Sequence, residues 1–131
     1  MDNLIIPGSE KTPFFSLLKN GELAFGGVSM PEDAAHFYFP IIDWITDYYR
    51  EPCENTKVIV SFRYLNSSST SMIRKIFYGL NRLQKTGKTN ISCDWYYEST
   101  DEDMLDYISN IQELAESLDI KIHAKDNILD F

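Results

Sequence analysis

Two apolar runs, PFFSLL and ELAFGGVS, flank Asn20-Gly21. That dipeptide tolerates the positive φ values of a type I′ turn, so the pattern predicts an antiparallel hairpin over residues 13–19 and 22–29. Gly26-Gly27 inside the second arm marks a bulge or a close backbone approach. Ser29-Met30-Pro31-Glu32 then reads as a helix start, with a hydroxyl cap, a proline in the first turn, and Glu32 and Asp33 at the positive end of the dipole. This helix is predicted to reach Arg50, with Phe37, Ile41, Trp44, Ile45 and Tyr48 on one face. Pro40 falls inside the pattern and predicts a kink.

TKVIVSFRYL is almost continuously apolar. It predicts a strand over residues 57–65, interior to a sheet and covered on both faces. Beyond it, Met72, Ile73, Ile76, Phe77, Leu80 and Leu83 recur at helical spacing until Gly87 closes the helix. NISCDWYYES is the next strand. Thr100 with Asp103 resembles a capping box before a third helix, whose inner stripe is Met104, Ile108, Ile111, Ala115 and Leu118. IKIHA gives a last strand. The order β-β-α-β-α-β-α-β predicts one α/β domain over residues 1–131, with a mixed, mostly parallel sheet, an N-terminal antiparallel hairpin and three long helices.

Charge narrows the class of partner. A formal net charge of −8 opposes binding to a phosphate backbone, so nucleic acid is excluded as a partner. No apolar run approaches the ~20 residues of a membrane span, and the N-terminus lacks the pattern of a signal peptide. Cys53 and Cys93 stand forty residues apart, outside any metal-binding spacing, and read as reduced thiols. The expectation is a soluble cytoplasmic protein.

Catalytic motifs are missing. The chain has no GxSxG elbow, GxxxxGK[ST] loop, GxGxxG or HExxH. His36 and His123 fall on different elements. Asp43 and Asp47 share a helix face but read as its wet side, and the cluster Glu98, Asp101, Glu102, Asp103 and Asp106 reads as helix-start electrostatics. Trp95 and Tyr97 alternate along a strand and read as core. No enzyme activity, cofactor or metal is expected.

One stretch is left unexplained. Ser67 to Ser71 are five consecutive hydroxyl residues between a strand and a helix. Ser67 as N-cap, accepting from the amide of Ser69 or Thr70, accounts for one of them. Short polar side chains in the first turn account structurally for the rest. A strand-to-helix junction of this kind is also where open α/β sheets place their sites. Its amides can accept a phosphate, which allows either phosphorylation or a small-molecule or nucleotide module using the second helix N-terminus as an anion site.

IIPGSEKTPFF, GGVSMPEDAAHFYFPIIDWITDYY, FRYLNSSS and CDWYYE together resemble the SiaC family of bacterial regulatory phosphoproteins. The resemblance rests on Ile6-Pro7-Gly8 with Thr12-Pro13, Ser29-x-Pro31-Glu32, Asp43-Trp44, Tyr64-Leu65-Asn66 and Trp95-x-Tyr97. It implies a STAS-like fold and a partner-switching cycle, in which a protein kinase modifies a hydroxyl directly after Tyr-Leu-Asn and a PP2C-type phosphatase removes the phosphate. The unphosphorylated form would bind and activate a diguanylate cyclase or another output protein, raising cyclic di-GMP and promoting biofilm growth. By position the acceptor is Ser67, with Ser68 and Ser69 as alternatives because the family often has Thr there. Tyr64, Asn66, Ser67 and Ser68 would meet the partner.

Overall fold

The computed structural model describes residues 2–128. Six strands form one sheet in chain order: β1 (Leu4–Ile6), β2 (Phe14–Leu17), β3 (Glu22–Ser29), β4 (Asn55–Leu65), β5 (Asn90–Glu98) and β6 (Asp119–Lys125). β1, β2 and β3 are successively antiparallel, whereas β3 to β6 are parallel. The helices α1 (Ala34–Arg50), α2 (Ser67–Lys85) and α3 (Glu102–Leu114) make the crossovers. The predicted α/β class, hairpin and three helices are all present, and β4 lies interior to the sheet between β3 and β5.

Strand β1 was not foreseen. Its three residues give no period to read, and it pairs with β2 through Leu4↔Leu17 to Ile6↔Phe15. The hairpin turn also differs from the prediction. Gly21 has φ 96°, but no non-glycine residue among those described has positive φ, so a type I′ turn is not formed. Instead the Gly21 amide donates to the Leu18 carbonyl at 3.0 Å and the Leu18 amide to Glu22 at 3.0 Å. Such a three-residue loop with a left-handed glycine is the next most common hairpin connection. Gly26 and Gly27 are needed for two different reasons. A Cβ at Gly26 would run into the Ser61 carbonyl, while Gly27 has φ 97° at the register shift opposite β4.

Sequential parallel strands joined by right-handed crossovers carry all three helices to one face of the sheet. The burial pattern agrees. In β4, Val58, Val60 and Phe62 are buried under the helices, while Lys57 and Arg63 are exposed on the opposite side. The expectation that β4 is covered on both faces is therefore wrong. Ile59 and Ser61 extend the apolar run without any helix above them, and that masks the alternation of a one-sided sheet. On the bare face His123 Nε2 lies 2.7 Å from Asp94 Oδ1 and its ring stacks on Tyr96.

The core is a single cluster between sheet and helices. α2 contributes Ile73, Ile76, Phe77, Leu80 and Leu83, each worth about 1.5–3 kcal/mol when fully buried. Trp95 stacks on Phe77 with ring centres 5.1 Å apart, and Tyr97 is buried too, so both are core residues as expected. α1 runs unbroken through Pro40, which is exposed. Beyond the C-cap Ala115 of α3, Leu118 still faces inward and completes the stripe read from the sequence.

Candidate regulatory site

At the β4–α2 junction the backbone turns from strand to helix within one residue, Asn66. Asn66 is the N-cap. Its Oδ1 accepts from the Ser69 amide at 2.9 Å, and its carbonyl takes the Thr70 amide at 2.9 Å. The prediction of Ser67 as cap is thus one residue late; Ser67 is the first residue inside the helix. Asparagine caps as well as serine, so sequence preference alone could not choose between them. Caps were displaced at the other helices too. α1 is capped by Asp33, which accepts from the His36 amide at 3.1 Å, rather than by Ser29. α3 is capped by Asp101 accepting from Met104 at 3.0 Å, rather than by Thr100.

With Asn66 as cap, the five hydroxyls divide by role. Ser67 and Ser68 are exposed; Ser67 Oγ makes no hydrogen bond, and Ser68 Oγ donates to Asn66 Oδ1 at 3.2 Å. The Ser67 and Ser68 amides have no acceptor, as the first amides of a helix must. Ser69 is fully buried. It donates to the Ser29 carbonyl at 3.0 Å and accepts from Ser29 Oγ at 2.8 Å. Ser29 Oγ in turn accepts from Tyr38 Oη at 2.7 Å, because its own proton is committed to Ser69. Burial pushes the Tyr38 phenol up to about 12, since its anion would be stranded in the core. Thr70 Oγ1 bonds back to the Ser67 carbonyl at 2.6 Å, and the Thr70 carbonyl accepts from Tyr107 Oη at 2.7 Å.

The start of α2 is therefore bolted to β3, α1 and α3, while the Ser67 hydroxyl is unbonded and the Ser68 hydroxyl is held only by the cap residue Asn66. Sequence reading missed Ser29, Tyr38 and Tyr107. The Ser29–Ser69 contact spans forty residues, and no local pattern announces it. Tyr64 is 52% exposed beside the junction, and Asn66 is committed to capping. The junction thus holds Tyr64, Asn66, Ser67 and Ser68 together, but with unequal freedom.

Beside the junction lies an open cleft of about 280 Å³, lined by Arg63, Tyr64 and Thr70 on one side and Asp101, Asp103 and Tyr107 on the other. Arg63 Nε is 4.0 Å from Glu98 Oε1. Among the described residues no imidazole, carboxylate or amine bonds to a hydroxyl of the run, so nothing there activates a nucleophile. Among those residues, too, no three His, Cys, Asp or Glu side chains gather as a metal site, and no helix is long and apolar enough to cross a membrane.

A rigid one-sided α/β scaffold that presents unactivated hydroxyls at a helix start belongs to the class of small regulatory domains. Residues 6–125 match the family described as SiaC family regulatory phosphoprotein, and the chain belongs to that family. It is similar to apo-SiaC from Pseudomonas aeruginosa, at 25% identity and a TM-score of 0.84, over 95% of this chain and 100% of that one. It is also similar to the SiaC found in the crystal structure of the diguanylate cyclase SiaD in complex with its activator SiaC from the same organism. There the identity is 25% and the TM-score 0.82, over 93% of this chain and 99% of that one. No curated protein matches the chain.

Proposed function

We propose that this chain is a non-catalytic activator of a diguanylate cyclase and that a phosphate on Ser67 turns it off. A protein kinase would add the phosphate and a PP2C-type phosphatase would remove it. The observation that carries the reading is the division of labour in the hydroxyl run. Ser67 is exposed, unbonded and next to two free amides, while Ser69 is sealed in the core. Ser68 is the alternative acceptor, hindered only by its bond to Asn66. Modification of Ser69 would require the first turn to unwind.

The physical effect of the phosphate follows from its position. It adds about −1.5 to −2 charges and three strong acceptors at one point. At a helix start it suits the dipole by about 0.3–1 kcal/mol, so the domain stays folded. In an interface built for a neutral hydroxyl, burying an unpaired dianion costs several kcal/mol. At ~1.4 kcal/mol per decade, that disrupts a micromolar complex. The related pair in Pseudomonas aeruginosa, SiaC as activator and SiaD as diguanylate cyclase, supports the cyclase as output. The nucleotide-module reading is weaker, because the cleft beside the junction sets two carboxylates, Asp101 and Asp103, against one guanidinium, Arg63, which already lies 4.0 Å from Glu98.

The test begins with intact mass and site mapping of the protein isolated from its own cells. It continues with cyclic di-GMP synthesis by the cognate cyclase, with and without the unmodified chain. One phosphate at Ser67 and a cyclase stimulated only by the unmodified form are expected. A cyclase indifferent to both forms would refute the reading.

A further inference from the structure

α2 differs from the rest of the molecule in charge. Its nineteen residues include Arg74, Lys75, Arg82 and Lys85 and no acidic residue, on a chain whose formal net charge is −8. Lys85 is paired with Glu116 at 3.4 Å, whereas Arg74, Lys75 and Arg82 have no carboxylate partner among the described residues. Ser67, Ser71, Arg74, Tyr78 and Arg82 follow one another at spacings of four, three, four and four, so they form one outward stripe. Tyr78 is 52% exposed at its centre. The hydroxyl proposed to be phosphorylated is the first residue of this stripe.

Gly79 is the second, independent observation. It stands in the interior of α2 with negative φ, where glycine costs about 1 kcal/mol relative to alanine. Its own fold does not require it, because a Cβ there meets nothing within 4 Å. Gly79 lies in a groove of about 270 Å³ between α1 and α2, with Ile45, Thr46, Tyr49 and Arg82. Along the α1 bank, Phe39 stands seven residues before Thr46 on the same helix stripe and is 69% exposed. A helix-interior glycine that opens onto an apolar groove lets a second backbone approach closely, as small residues do wherever helices cross tightly.

We infer that the α1–α2 groove is the docking surface for the output partner, and that the occupant is an acidic amphipathic helix crossing α2 at Gly79. Its apolar side faces Tyr49 and Phe39, and its carboxylates face Arg82, which lines the groove, and Lys75, one turn before Gly79. This rests on the reading of the chain as a protein activator and adds the surface and the chemistry of the partner. It also gives the phosphate a second mode of action. A dianion at the head of a basic stripe lowers the attraction for an acidic helix even where it does not clash.

The test is a titration of the cognate diguanylate cyclase with four forms of the full chain: wild type, Gly79→Leu, Arg82→Glu, and Lys57→Glu on the bare sheet face. Each is paired with a thermal melt. Gly79→Leu is expected to raise the melting temperature by roughly 2–5 °C while weakening binding about tenfold or more. A purely structural glycine cannot give that opposed result. Arg82→Glu is expected to weaken binding about tenfold and to flatten its salt dependence, with Lys57→Glu unchanged. Binding that survives Gly79→Leu and Arg82→Glu within about twofold overturns the groove and leaves the activator reading standing. A wild-type chain that binds no cyclase overturns both.

Discussion

α1 is fastened at both ends by a buried tyrosine, and the two fastenings differ in what lies beyond them. At the carboxyl end of the parallel strands, Tyr38 bonds to Ser29, which bonds to Ser69. At the opposite end, Tyr48 Oη lies 2.7 Å from Thr56 Oγ1, which lies 2.7 Å from Thr89 Oγ1. Both chains of hydroxyls tie α1 to a strand and to a neighbouring crossover. The Tyr48 end is closed on itself, since its oxygen also accepts from the Cys53 amide at 3.1 Å. At the Tyr38 end the hydroxyl run continues outward to Ser68, which reaches only the adjacent cap Asn66, and to Ser67, which bonds to nothing through its side chain. Two of the five hydroxyls, those of Ser69 and Thr70, hold the first turn of α2, while those of Ser67, Ser68 and Ser71 are exposed.

The largest effects should come from the bolts themselves. Thr56→Val leaves both Tyr48 and Thr89 short of a buried partner and is expected to cost about 2–4 kcal/mol. Ser69→Ala leaves the Ser29 proton unused and is expected to cost about 1–3 kcal/mol. Urea unfolding measures both. The comparison sharpens if only Ser69→Ala also changes cyclase binding, and it breaks if Thr56→Val does so equally.

A smaller contrast separates cap from acceptor. Asn66→Ala should cost about 1 kcal/mol, because it removes the acceptor for the Ser69 amide. Ser67→Ala, next door, should cost less than about 0.5 kcal/mol, since its side chain bonds to nothing. Equal losses in the two melts would return the cap to Ser67.

This cap also marks the limit of what the sequence discloses. Helical spacing located the three helices, the Asn20-Gly21 signal between two apolar runs located the hairpin, and a nearly continuous apolar run located the interior strand. The hydroxyl run likewise drew attention to the right junction. Roles inside the junction were not legible. Asn66 and Ser67 are both good caps, and the choice was made by Ser69, which is held by Ser29 from forty residues away. The bare sheet face was hidden for a similar reason. Ile59 and Ser61 look like interior residues until the order of strands shows every helix on the other side.

Titration at high pH gives a smaller and more gradual effect. Burial raises Cys93 from an ordinary 9.0 to about 12 and Tyr38 from 10.0 to about 12, and it raises Tyr107 as well. The folded chain therefore holds protons that the unfolded chain releases. Stability should be level below about pH 9, fall as pH rises towards 12, and fall less steeply in Tyr38→Phe. Melting temperatures across pH 7–11 measure this slope. A stability that rises over that range would contradict the burial of these groups.

The central claim is that the free hydroxyl at the head of α2 governs binding and not folding. The most direct measurement compares the chain phosphorylated at Ser67 alone with the unmodified chain, each titrated against the cognate cyclase and each melted. Affinity should fall about a hundredfold or more, while the melting temperature moves by no more than roughly 3 °C. Ser67→Asp, with less charge, should lose about tenfold to a hundredfold. Equal affinity for the phosphorylated and unmodified chains would contradict the account and leave Ser67 as one more polar residue in a first turn.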